Sequence, residues 1–375
     1  MGEPTAFDAI VVGAGIVGAA CAKELADAGM RVCICEAGSV ASGATGAGMG
    51  HIAVMDDSEA QFMLTSYSQS LWQKLSIELP PDAEYVRCGS LWIAADEQEF
   101  GEVKRKFHFY SQRGIPVQIL DAAQLAEAEP NLRPGMAGGL LMPADSVCYP
   151  PCVARYLVDT VCASHGKLLL GANVIELAES GVKCEDGTRI PSGVTIVATG
   201  AGTTNLIPEI HVSPRKGHLL ITDRYPGVVR HQLLELGYLK SVQSTSSDSV
   251  AFVLQPRPTG QILVGSSRQY GVKNSDVERQ LLASVVSRAI SFMPALGNLS
   301  IIRTWTGFRA ATVDKLPFIG QCPRYERVFV ATGHEGLGIS MSLATARLLA
   351  DEILGRPSHI PRAPYDPSRD LAVHR

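Results

Sequence analysis

Residues 7–36 read FDAIVVGAGIVGAACAKELADAGMRVCICE. The run at 7–12 is short, apolar without alternation, and stops at Gly13, the pattern of a parallel strand buried on both faces. Ile16, Ala19, Ala20, Lys23, Glu24 and Leu25 then place a small-residue helix over 15–28, ending near Gly29. A second strand, 31–36, ends on an acid, Glu36. The three elements form a β-α-β unit of about the ~30 residues such a unit needs. Gly13, Gly15 and Gly18 stand at G-x-G-x-x-G spacing between the first strand and the helix. That context gives the spacing its meaning. One glycine permits the tight turn, one lets the backbone approach a pyrophosphate, and one lets helix and strand pack closely. The helix N-terminus, Ile16 and Val17 included, offers free N–H groups and partial positive charge to phosphates. Glu36 lies 23 residues beyond Gly13, where a carboxylate accepts hydrogen bonds from ribose hydroxyls, with Ala37 beside it. The alternative is a structural glycine turn followed by a surface glutamate.

Farther along the chain, VATGAG at 197–202 ends another apolar strand on a glycine turn, and VATGHEGLG at 330–338 opens a late helix. One nicotinamide-binding unit seldom needs glycine turns from three distant segments. A long cofactor buried through the domain does, which favours FAD over NAD. Between these motifs, residues 58–79, 97–113, 151–165 and 276–293 read as helices, and 86–95 as a strand bent at Gly89. Ser39–Gly50 is too glycine-rich for one regular helix and is expected either to open a short helix near Ser42 or to track a ligand. Glu185-Asp186-Gly187 marks a hairpin turn. From 212 the character changes to short β-runs at 218–222, 249–254 and 261–266, with a turn at Arg257–Gly260, so an antiparallel second domain is expected.

The 375 residues suit two domains. A net charge of −4 without any basic run argues against nucleic acid as a partner. No apolar window of about 18 residues suggests a membrane span, no Lys or Arg precedes the first apolar run as a signal peptide requires, and Ala6 breaks a myristoylation pattern at Met1-Gly2. A cytoplasmic protein is expected. Nine cysteines, an odd number, read as reduced and buried thiols. Cys33 and Cys35 share one strand face. Neither they nor Cys148 and Cys152 have zinc-site spacing, so no metal is expected.

FDAIVVGAGIVGAACAKELADAG…VCICE, ATGAG, GFRAATVDKLPFIG and FVATGHEGLGIS, in this order over residues 7–354, resemble the D-amino acid oxidase superfamily of FAD-dependent oxidoreductases. SGATGAGMGHI, VGSSRQYG and GFRAATVDKLPFIG are similar to the flavin β-subunits of opine oxidases, D-hydroxyproline dehydrogenase and hydrogen cyanide synthase. The resemblance implies an α/β plus β-rich fold. A Rossmann-like, p-hydroxybenzoate-hydroxylase-like FAD domain (1–85, 146–211 and 303–375) would be joined to an antiparallel-sheet substrate domain (86–145 and 212–302). It implies hydride transfer from a substrate α-carbon to flavin, giving an imine that water hydrolyses. It also implies an α-subunit partner carrying further redox cofactors, FMN or an iron–sulfur cluster, since no clustered cysteine set exists in this chain.

Carried onto this sequence, the resemblance assigns Arg309, in Gly307-Phe308-Arg309-Ala310, to the substrate carboxylate; Ala310 stands where relatives have proline. A planar guanidinium suits that bidentate task. The alternative is a structural ion pair with Asp314 or a neighbour. His51 is expected beside flavin or substrate, or else satisfied by backbone. Ser42, Gly43, Thr45, Gly48, Met49 and Gly50 are expected to touch flavin, mostly through backbone. Gly333, His334, Glu335, Gly336, Leu337 and Gly338 would aim N–H groups at the flavin pyrimidine edge. Val174 would lie on the adenine, and Thr199 and Gly200 complete the cofactor set. Arg268 and Tyr270 are candidate substrate contacts, a second cation suiting the extra carboxylate of an opine. No cysteine lies between Gly307 and Thr312, so the FAD is expected to be noncovalent.

Overall fold

A computed structural model describes residues 7–237 and 248–369; the reading at Met1–Ala6 falls outside them. The chain divides into two units. The first comprises residues 7–83, 149–214 and 309–369. Its sheet has the order Phe318–Gln321, Val328–Thr332, Arg189–Val197, Phe7–Val12, Val32–Glu36, Lys167–Leu170. Five of these strands run parallel, and Phe318–Gln321 pairs antiparallel at the edge. Phe7–Val12 lies in the middle, with Ile10 opposite Cys33 on one side and Thr195 on the other. That position explains its unbroken apolar sequence, because both of its faces are covered.

Helices Ile16–Asp27 and Gly338–Ile353 pack on each other, the former also on Pro150–Ala163 and the latter also on Glu59–Leu75. Ala19, Ala20, Ala22, Ala344, Ala346 and Ala350 are all buried in this stack. Small side chains let the helix axes approach closely. Helix Glu59–Leu75 is fastened to the last helix by polar bonds: Trp72 Nε1 donates to the Ile339 carbonyl at 3.1 Å, and Ala344 N donates to Ser68 Oγ at 3.3 Å. The predicted hairpin turn at 185–187 joins Gly181–Cys184 to Arg189–Val197, closed by a bond from Gly187 N to Cys184 O at 3.0 Å.

The second unit comprises Glu84–Cys148 and the described part of Arg215–Phe308. Its sheet has the order Ile301–Ala311, Ser213–Thr222, Ile262–Arg268, Ser249–Pro256, Gln232–Glu235, Ser90–Ala94, Gly138–Met142, Gln118–Asp121. Most of its registers are antiparallel as expected, but Gln232–Glu235 runs parallel to Ser90–Ala94, Gln232 facing Ser90. These two strands come from separate stretches of chain, so no hairpin fixes their direction. Helix Arg279–Phe292 covers one face, where Val285, Ala289 and Phe292 pack with Leu91, Ile93, Leu233, Phe252, Leu254, Ile262 and Val264. The rings of Phe252 and Phe292 stack with centroids 4.5 Å apart.

Some local readings shift. The regular strand begins at Ser90, just after Gly89 at φ +75°. The loop at 39–50 holds one short helix, Ala44–Ala47. Helix Ala122–Ala128 was not anticipated, although Asp121 and Gln124 form its capping box. Strand Ile301–Ala311 is continuous, and the second unit extends to Phe308, where the sequence reading returned to the first domain at 303. Six cysteines are buried, Cys33 and Cys35 among them, but Cys88 and Cys152 are half-buried and Cys162 is exposed. Among the described residues no helix is long and apolar enough to cross a membrane, and no cluster of His, Cys, Asp or Glu could hold a metal.

Candidate active site

The first turn is shaped by backbone crowding. Gly13 has φ +106°, and a Cβ there would lie 2.7 Å from Ala198 O. A Cβ on Gly18 would lie 2.0 Å from Gly13 O and 3.2 Å from Ala198 Cβ. Only hydrogen fits at either position. The helix that follows has no side-chain cap from Gly15. Ile16 N donates instead to Thr45 Oγ1 at 3.0 Å, so Thr45 closes part of the first turn from the 39–50 loop. The next N–H groups, of Val17 and Gly18, have no acceptor within the helix by its geometry. Glu36 is held by Ala14 N at 2.7 Å and Gly38 N at 2.8 Å, one on each carboxylate oxygen. Each oxygen keeps lone-pair capacity for a hydroxyl donor. Ala37 is exposed beside it. Ala172 N donates to Glu36 O at 3.0 Å, which brings the segment leading to Val174 up to the same strand end. Val174 is buried opposite Cys184.

The other two glycine turns converge on the first. Ala198 N donates to Val12 O at 2.9 Å. Thr332 Oγ1 donates to Gly200 O at 2.9 Å, Thr203 Oγ1 donates to Thr332 Oγ1 at 3.1 Å, and Thr199 Oγ1 lies 3.1 Å from Thr203 Oγ1. Gly333 packs on Thr312, and a Cβ on Gly338 would lie 4.0 Å from Val17 Cγ2. Leu337 N donates to His334 O at 3.0 Å, forming the turn into the last helix. That helix also starts without a side-chain cap.

The loop before His51 packs on this helix. A Cβ on Gly48 would lie 3.2 Å from Ile339 Cδ1, Met49 is buried, and Ser42 and Gly43 are exposed. Ser340 clamps the chain beyond it, its Oγ donating to His51 O at 2.9 Å and accepting from Ala53 N at 3.1 Å. The His51 ring is not satisfied by backbone at Nε2, which is enclosed and has no hydrogen-bond partner among the described residues. Burial pushes its pKa down to about 4. His334 is buried with Nε2 at 2.9 Å from Thr345 Oγ1, and burial pushes its pKa down to about 3. Both rings are therefore neutral at neutral pH.

Arg309 stands near the end of strand Ile301–Ala311, four residues before Val313. Its side chain crosses the last turn: a Cβ on Gly336 would lie 3.4 Å from Arg309 Nε and 3.5 Å from its Cδ. Ala310 O accepts from Glu335 N at 2.8 Å, and Glu335 has φ +55°. The 333–338 turn and Arg309 are thus built as one piece. Asp314, one alternative partner considered for Arg309, is engaged by Arg369 at 2.7 and 3.1 Å. Gly307 precedes Arg309 on the same strand, within the second unit. Arg268 and Tyr270 also belong to the second unit. Arg268 is buried opposite Ser249, and the Arg215 guanidinium lies over the Tyr270 ring at 4.9 Å. Sequence reasoning did not single out Arg215, Ser340, Thr203 or Thr332. Ser340 had a signal, being a hydroxyl in the first turn of the late helix; the threonine chain is visible only once the three turns meet.

These features fit a flavin dinucleotide: an uncapped helix N-terminus for phosphate, glycines without room for a side chain, a carboxylate fixed for ribose, and a buried imidazole nitrogen left without a partner. Together they define a dinucleotide-binding α/β protein. The sequence model of the FAD dependent oxidoreductase family, DAO, matches residues 8–352, and the chain belongs to that family. Glycine oxidase of Geobacillus kaustophilus (strain HTA426) is 26% identical, over 97% of this chain and 97% of its own. A D-amino acid dehydrogenase of Vibrio cholerae serotype O1 (strain M66-2) is 25% identical over 81% of this chain and 72% of its own. The crystal structure of glycine oxidase from Geobacillus kaustophilus superposes with a TM-score of 0.87 at 25% identity, covering 97% of this chain and 99% of that one. The protein is an FAD-dependent oxidoreductase.

Gly18→Ala is expected to yield protein without flavin, read as the ratio of flavin to protein absorbance; full flavin loading would contradict the packing described here. His334 carries a second expectation. An unfolded histidine titrates near ~6.5, whereas His334 in the fold titrates near about 3. The unfolded chain takes up the proton first as pH falls, so stability declines below about 6.5, by at most ~1.4 kcal/mol per pH unit for one group. His334→Gln should flatten that decline in urea titrations between about pH 6 and 4; an unchanged slope would show that His334 is not its source.

Proposed function

We propose that this chain oxidises the C–N bond of a small amino-acid-like substrate, a D-amino acid, D-imino acid or opine. The product is an imine that hydrolyses to a 2-oxo acid or aldehyde plus an amine. The observation that carries the reading is Arg309 laid across Gly336, where the strand end and the last glycine turn are joined. FAD, when bound, supplies the acceptor for the hydride leaving the substrate carbon. The protein's part is placement. Gly13, Gly15, Ile16, Val17 and Gly18 hold the pyrophosphate, Glu36 and Ala37 the ribose, and Val174 the adenine. Thr199, Gly200, the 42–51 loop and the 333–338 turn hold the rest, through noncovalent contacts only. The uncapped N-terminus of the last helix favours negative charge at the flavin edge.

Arg309 grips the substrate carboxylate bidentately and fixes which C–H faces the acceptor. His51, neutral, offers one ring nitrogen as a hydrogen-bonding group without adding a cation beside the substrate amine, which must itself be neutral to be oxidised. The second unit is the substrate-binding domain, with Arg268 and Tyr270 as further contacts. The names of the relatives, glycine oxidase and D-amino acid dehydrogenase, support an amino-acid substrate.

For the assembly, we propose a β-subunit working with a redox-cofactor-bearing α-subunit, supported by SGATGAGMGHI, VGSSRQYG and GFRAATVDKLPFIG. A chain that acts alone, as a glycine or sarcosine oxidase type, is the other reading, and the glycine oxidase relatives favour it.

Arg309→Ala is expected to raise KM for a carboxylate-bearing substrate about 100-fold or more, the scale of losing a charge-assisted bidentate pair. Arg309→Lys should recover only part of it, and unchanged KM in Arg309→Ala would remove Arg309 from the substrate. Purification from the native host is expected to bring down an FMN- or iron–sulfur-bearing chain in fixed ratio. Fully active flavoprotein eluting without any partner would decide for the chain that acts alone.

A further inference from the structure

Within the first unit, the chain at His51–Ala53 is tied to the last helix through one side chain. Ser340 stands two residues after Gly338, where helix Gly338–Ile353 begins, and is 1% exposed. Its Oγ donates to His51 O at 2.9 Å and accepts from Ala53 N at 3.1 Å, across 289 and 287 residues of sequence. A hydroxyl has one proton to give, and Ser340 commits it to the His51 carbonyl. Hydroxyls near a helix start ordinarily bond their own neighbouring backbone. Ser342 does so, donating to Ile339 O at 2.9 Å. Ser340 departs from that habit and reaches to a distant segment, while its own helix starts without a side-chain cap.

The consequence is geometric. The N–H groups of Gly338, Ile339 and Ser340 have no acceptor within the helix, and one of these three residues carries the hydroxyl that holds His51. The same turn is braced from the other side. Trp72 Nε1 donates to Ile339 O at 3.1 Å, and a Cβ on Gly48 would lie 3.2 Å from Ile339 Cδ1. A shift of the His51 backbone against the helix start therefore breaks two buried hydrogen bonds. On this anchored residue the ring nitrogen Nε2 is enclosed and has no hydrogen-bond partner among the described residues. Buried polar atoms are hydrogen-bonded as a rule, so an exception placed beside free helix N–H groups points to a ligand atom as its partner.

We propose that Ser340 is a positioning residue: it sets the His51 ring nitrogen against the start of the last helix and so fixes a hydrogen bond from His51 to the flavin. This rests on the reading that places His51 beside the flavin, and adds what holds it there. Hydrogen bonds to the flavin ring tune its electronics. A residue that fixes such a bond therefore affects how strongly the flavin holds electrons, although it never touches the ring itself. A hydroxyl that merely fastens the loop to the helix would change stability and leave the flavin's potential as it is.

The test uses the flavin-loaded full chain and needs no substrate. The midpoint potential of the bound flavin and the position of its visible absorption bands are measured for the wild type, His51→Ala, Ser340→Ala and the double variant. His51→Ala is expected to shift both quantities, and Ser340→Ala to shift them in the same direction by a smaller amount. In the double variant the shifts should not add. Its potential is expected to equal that of His51→Ala, because a residue acting through another has no effect once the other is removed. Ser340→Thr keeps the hydroxyl and should stay with the wild type. Ser340→Cys keeps the volume but bonds weakly, so it should follow Ser340→Ala and replaces it if the alanine variant fails to fold. Unchanged flavin properties in the alanine and cysteine variants, or shifts that add in the double variant, would overturn the proposal and leave the reading of His51 intact. Loss of flavin from both Ser340 variants while His51→Ala retains it would likewise overturn it. No shift in His51→Ala would remove His51 from the flavin and overturn both.

Discussion

The structure of the first unit depends on a backbone contact that admits no side chain. Gly18 lies on the Gly13 carbonyl and Gly13 on the Ala198 carbonyl, so the first strand, the first helix and the strand at 189–197 meet at one point. The threonine chain through Thr203 and Thr332 to Gly200 extends that point to the strand at 328–332. Three segments separated by more than a hundred residues are thereby brought to the carboxyl ends of adjacent parallel strands, where ligands of open α/β sheets bind. Every other feature of the site is hung from that arrangement.

Two consequences follow for chemistry. The helices starting at Ile16 and Gly338 both begin without a side-chain cap from the residue before them; Thr45 takes Ile16 N, and the N–H groups of Val17 and Gly18, like those opening the last helix, have no acceptor within their helix. A well-capped helix would be more stable and less useful there. The histidines near these helix starts, His51 and His334, are kept neutral by burial, with pKa values of about 4 and 3. On the proposed reading, positive charge at the reacting centre is left to the helix ends and to Arg309, which cannot lose its proton at working pH.

The first β-α-β unit was legible because its signals are local: an unalternating apolar run, glycine spacing and a terminal acid all lie within 7–36. The turns at 199–200 and 333–338 were legible as glycine-rich strand ends, though their mutual bonds were not. Thr45 was read as part of the flavin loop through its backbone; its hydroxyl accepts from Ile16 N, a contact 29 residues away that no local pattern encodes. The parallel pairing of Gln232–Glu235 with Ser90–Ala94 was equally hidden, since alternation within a strand carries no information on the direction of its neighbour.

Anaerobic mixing of the purified flavoprotein with a panel of D-amino acids, D-imino acids and opines, followed through the flavin absorbance, tests the central claim most directly. At least one member is expected to bleach the flavin and yield a stoichiometric 2-oxo acid or aldehyde together with an amine. A protein that carries full flavin, is reduced by dithionite, and yet is bleached by no amine in the panel would contradict it.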